Sequence, residues 1–121
     1  MKEEIKLLQK QLDILREQRK VRIETFKETV VDFNKEHPEF NIKLNADGEI
    51  ENLTGLWDSI ALERDKYALQ TSEEDAERVY GPIVEALQEL EKGNTEIADM
   101  NDKEAAIVQE QAELTLEMIT S

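Results

Sequence analysis

From Met1 to Glu36 the chain contains no Gly or Pro, and then it meets His37-Pro38. Proline restricts the residue before it and clashes with a preceding carbonyl, so a helix begun near the N-terminus must end here. Within that stretch apolar residues recur at Ile5, Leu8, Leu12 and Leu15, then at Ile23, Phe26, Val30 and Phe33. The steps alternate between three and four, the period of a helix seam. Arg19 lies between the two runs with a step of four on either side, a stutter that local unwinding absorbs. The spacing therefore predicts one long N-terminal helix over 1–37. Its seam is Ile5, Leu8, Leu12, Leu15, Arg19, Ile23, Phe26, Val30 and Phe33.

Beyond Pro38 the period changes. Phe40, Ile42 and Leu44 alternate with polar residues, and Asp47-Gly48 is a turn dipeptide, so 38–53 reads as a short β-hairpin with Ile50 on its return strand. Helical spacing resumes over about 54–69, with Leu56, Trp57, Ile60, Ala61, Arg64, Tyr67 and Ala68 on one face. Ser72 three residues before Asp75 suits the start of another helix, with Ala76, Val79, Ile83, Leu87 and Leu90 buried. Gly81-Pro82 predicts a kink or break in it, and Gly93-Asn94 predicts its end. A last helix is expected over about 95–120, with Ile97, Met100, Ile107, Val108, Leu114 and Met118 inward and an interruption near Asn101-Asp102. The fold class is thus mainly α: a long coiled-coil-like helix, a hairpin, and an antiparallel bundle of about three helices over 54–121, one domain in all.

A helix of 36 residues would be about 54 Å long at 1.5 Å per residue, whereas a compact chain of 121 residues has a radius of gyration near 14 Å. The first helix should overhang its body, and an overhanging apolar stripe is most simply covered by the same stripe of a second copy. A homodimer is expected on this ground. The alternative is that the last two helices fold back along the first.

Composition removes most chemistry. With no cysteine there is no disulfide, zinc thiolate or thiol nucleophile. His37 is the only histidine, which leaves no multi-histidine metal site and gives no support for a Ser-His-Asp triad; at a helix end it is expected to cap the dipole or contact the hairpin. Neither a phosphate loop nor a dinucleotide fingerprint occurs. Asn45-Ala46-Asp47-Gly48 fails as a calcium loop, because Lys43 and Thr54 stand where the first and last carboxylates belong. Trp57, Tyr67, Phe26 and Phe33 read as core. No catalytic residue, cofactor or metal is expected, and an enzyme has no positive support. Without a signal-like or membrane-spanning apolar run, a soluble cytoplasmic protein is expected.

Charge is divided unequally. Residues 1–37 carry a net +1 and residues 38–121 a net −15. Such an acidic field repels nucleic acid and anionic membrane and attracts basic proteins. The one basic cluster, Arg16, Arg19, Lys20 and Arg22, spreads broadly around the first helix and is expected to pair with Glu17, Glu24 and acidic residues of later helices. The leading expectation is a non-enzymatic protein–protein interaction module, structural or adaptor in kind, that self-associates through its first helix. The alternative is an acidic nucleic-acid mimic that blocks a basic groove through Glu73, Glu74, Asp75, Glu77, Glu85, Glu89, Glu91, Glu96, Asp99, Asp102 and Glu104. Small acidic helical proteins that phages use against nucleases are similar in bulk charge and size, with no matching motif.

Overall fold

The computed structural model describes residues 1–120 and is mainly helical. Helix α1 spans Lys2–Glu36, α2 spans Leu53–Gln70 and α3 spans Glu73–Thr120, with a 3-10 turn at Pro38–Phe40 after α1. Side chains pair Gln9 with Gln111, Arg16 with Glu104 and Arg22 with Glu96. As the number rises along α1 it falls along α3, so the two run antiparallel over nearly all of α1. Helix α2 is antiparallel to the first half of α3, since Trp57 bonds Glu91 and Arg64 bonds Glu77. The result is a three-helix body, centred on the start of α3, from which a two-helix stem projects: α1 before about residue 22 beside α3 after about residue 98.

The core lies in the body. Phe26, Ile60, Leu87 and Ile97 are its largest fully buried side chains, joined by Val30, Phe33, Phe40, Ile42, Leu56 and Leu90. Each contributes about 1.5–3 kcal/mol relative to exposure. Trp57 and Tyr67, expected in the core, are only half-buried. Trp57 donates its indole N–H to Glu91 Oε2 at 2.9 Å, and Tyr67 meets the Tyr80 ring edge-on. Val79 and Val108, expected inward, are exposed.

The β-hairpin expected over 38–53 is not formed. The chain does reverse at Asp47-Gly48, but Leu44 and Ile50 make only an isolated bridge. Two backbone bonds cross the turn, from Asn45 N–H to Glu49 O and from Glu51 N–H to Lys43 O, both at 2.8 Å, and side chains satisfy the amides beyond them. Asn34 both donates to Ile42 O and accepts from Ile42 N–H, Asn52 accepts from Lys43 N–H, and Asn94 accepts from Ile50 N–H at 2.6 Å. Asn45 closes the turn by accepting from the amides of Asp47 and Glu49. Gly48 has φ +82°, open to glycine at little cost, and a Cβ there would stand 3.0 Å from Ile23 Cδ1.

The segment after α2 is likewise one helix where the sequence predicts two. Ser72 caps it as expected, accepting from Asp75 N–H at 3.1 Å. It then continues through Gly81-Pro82, Gly93-Asn94 and Asn101-Asp102 to Thr120. Each supposed breaker except Gly81-Pro82 has a tertiary use. Gly93 is buried beneath the Phe26 ring, 2.9 Å from where its Cβ would be; Asn94 holds the loop; Asn101 donates to Asp47 O and accepts from Arg19. Tertiary packing has overridden local propensity. Among the described residues, the segment predicted to hold about three helices therefore supplies two, α2 and α3.

This length also answers the overhang. At 1.5 Å per residue, α3 is about 72 Å long and α1 about 53 Å, so α3 accompanies α1 to its start. Leu8 and Leu12 are buried, and Ile5 and Leu15 half-buried, within a single chain. The fold-back arrangement is the one adopted, with α3 alone lying along the stem. The seam thus does not itself call for a second copy.

Candidate functional site

Where stem meets body, the predicted seam residue Arg19 sits opposite Asn101 and Glu104. Its guanidinium lies 2.6 Å from Glu104 Oε2 and donates to Asn101 Oδ1 at 3.2 Å, while Arg16 reaches the same carboxylate at 3.2 Å. The bond from Arg19 holds the Glu104 carboxyl below the usual range; partial burial opposes this and Arg16 reinforces it. Asn101 Nδ2 bonds the loop at Asp47 O and Glu49 Oε2. This polar layer links α1, α3 and the loop in one register, as buried polar pairs in helix seams do. Its groups satisfy one another, which suits a structural role.

The basic cluster behaves similarly. Arg16 and Arg19 meet Glu104 and Arg22 meets Glu96, as expected for acidic residues of a later helix, but Glu17 and Glu24 take no part. Of the predicted acidic surface, Glu73 and Glu77 hold Arg64, Asp75 holds Arg78, Glu89 holds Lys92, Glu91 holds Trp57 and Glu96 holds Arg22. The Arg64 guanidinium is correspondingly held more firmly protonated, chiefly by its bond to Glu77 and then Glu73. Among the described residues Glu74, Glu85, Asp99 and Asp102 have no such partner. Burial pushes the Tyr80 phenol up, with Glu63 and Glu39 adding to it. His37 ends α1 with its ring 5.0 Å from that of Phe33 and within 4.0 Å of the carboxylates of Glu36 and Glu39.

A second apolar row on α1, not predicted from the seam, lies outside it. Leu7, Ile14 and Val21 are 58%, 59% and 55% exposed. They are seven residues apart, so they stand in one line on α1, turned by about 130° from the seam at 100° per residue. Val21 and Met100 share the wall of an open groove of about 630 Å³, with Glu17, Gln18, Arg22 and Thr25. Met100, Ile107 and Leu114 are also seven apart and half-buried. The antiparallel register that sets Val21 beside Met100 sets Ile14 level with Ile107 and Leu7 level with Leu114. Val21 and Met100 share the groove, and Leu7 and Ile14 continue the exposed row along α1. The opposite side of the α1–α3 pair carries the loop.

The signal was in the sequence, as an exact seven-residue repeat of Leu, Ile and Val. Without the tertiary structure it could not be told from a second core stripe.

No helix among the described residues is long and apolar enough to cross a membrane, and no group of three or more His, Asp or Glu side chains there could hold a metal ion. No family model, curated protein or solved structure matches the chain.

Proposed function

We propose that the chain is a non-enzymatic protein–protein interaction module whose working surface is the open side of the α1–α3 stem. One observation carries this: Leu7, Ile14 and Val21 stay more than half exposed in a line the fold does not use. Scattered exposed apolar residues are ordinary on a protein surface, but an exposed apolar row at seven-residue spacing along one side of a helix suits the docking of a second helix. Self-association through α1, expected from the sequence, belongs in this proposal only on that outer side, because the seam is filled by α3. A photo-crosslinking residue at position 14, compared with one at the exposed position 58 on α2, tests the proposal in the cells that make the protein. Discrete adducts from position 14 alone are expected; equal or absent adducts from both would refute it.

The nucleic-acid-mimic alternative draws its support from Glu74, Glu85, Asp99 and Asp102, whose charges no arginine or lysine of the described chain neutralises. It is weaker, because most of the other carboxylates named for it serve internal bonds. Charge reversal at Glu74 and Glu85, which lie on the body half of α3, would then abolish binding to a basic partner, whereas a stem-mediated contact would survive it.

A further inference from the structure

Building on that proposal, we infer that the stem receives an amphipathic helix of another protein that carries Lys or Arg beside its apolar ridge. The strip from Leu7 to Val21 is about 21 Å long at 1.5 Å per residue, four turns of a docked helix. It is confined to the stem. Further along α1 the next position of the seven-residue row is Glu28, and the same side presents Thr25, Thr29 and Asp32. Thr29 and Asp32 line a separate groove with Phe33, Glu36, Ala86, Glu89 and Leu90, within the body.

Charge selects the occupant. At 100° per residue Glu4 and Glu17 of α1 and Glu110 and Glu117 of α3 flank the strip, against Lys10 and Lys103. Among the described residues no cation pairs with any of these four carboxylates. A second copy would bring the same acidic excess to the same strip and be repelled. A basic amphipathic helix would lay its apolar ridge on Leu7, Ile14 and Val21, entering at Val21 the groove shared with Met100, with its cations beside the carboxylates. Such complementarity sets both partner choice and encounter rate.

The test uses the full chain and two synthetic 21-residue helices, monomeric alone and identical in their Leu ridge, one flanked by Lys and the other by Glu. Fluorescence anisotropy should show the Lys peptide binding at least about tenfold tighter, with affinity falling as salt rises. The triple variant L7Q/I14Q/V21Q should lose that binding while keeping its circular dichroism and melting midpoint. The single variant I14Q serves if the triple variant is misfolded, and L62Q/L69Q on the exposed side of α2 should bind as the parent does. Equal affinity for the two peptides, binding to neither, or undiminished binding by the stem variants would overturn the inference. So would a dimer in light scattering that the stem variants dissolve. That last result would leave the interaction module standing with a second copy as occupant, and loss of position-14 crosslinks would remove the module itself.

Discussion

Replacing Gly93 by alanine should destabilise the protein, although alanine is the better helix former. Gly93 lies inside α3, and an alanine there gains up to about 1 kcal/mol from propensity alone. Its Cβ, however, would stand 2.9 Å from Cδ1 and Cε1 of Phe26 and 3.0 Å from Arg22 Nη2. Arg22 can swing aside. The Phe26 ring is 2% exposed and belongs to the buried core cluster, so it cannot move without disturbing the core. Overpacking of this kind costs about 1–3 kcal/mol, and the net loss should be about 1 kcal/mol. Gly55 in the first turn of α2 has nothing within 4 Å of its would-be Cβ, so the same change there should gain up to about 1 kcal/mol. Urea unfolding of both variants measures the swing, expected to be about 2 kcal/mol, or several degrees in thermal midpoint. Replacing Phe26 by leucine in the Gly93→Ala background should recover part of the loss in a double-mutant cycle. If Gly93→Ala were as stable as the parent, the close approach of Phe26 would not be what maintains glycine at this position.

Gly48→Ala should cost about 1–3 kcal/mol in urea unfolding, from the positive φ and the Ile23 side chain it would meet. Asn94→Ala should leave Ile50 N–H without its acceptor and cost about 1–3 kcal/mol, with faster amide exchange confined to the loop. Acidification should weaken the junction of stem and body. Glu104 titrates lower in the folded chain than in the unfolded one, so its contribution is present above the ordinary carboxylate pKa and is lost as pH falls through the lowered value. Glu104→Gln should flatten the unfolding midpoint over the range from pH 5 downward, and a parent-like slope in that variant would assign the effect elsewhere. Amide exchange should also be slowest around Phe26, Ile60 and Leu87 and quicken toward both ends of the stem, where only Leu8 and Leu12 are buried.

The spacing of Ile5, Leu8, Leu12 and Leu15, the stutter at Arg19 and the stop at Pro38 are local consequences of helix period and proline sterics, so α1 and its inward side were legible in the amino-acid order alone. The Ser72 cap and most of the apolar side of α2 were legible for the same reason. What covered the seam was not, because a heptad stripe is equally satisfied by a second copy or by another part of its own chain, and only the folded chain shows α3 lying along it. Gly93, Asn94 and Asn101 misled for a related reason. Their local preference is for turns, but Gly93 makes room for Phe26, and the two asparagines bond a loop that lies 44 to 54 residues away in sequence. The hairpin goes no further than one bridge because Asn34, Asn52 and Asn94 take the amides of Ile42, Lys43 and Ile50. Leu7, Ile14 and Val21 acquire their meaning last. Periodicity puts them in a line, but only the position of every other helix decides that nothing in this chain covers them.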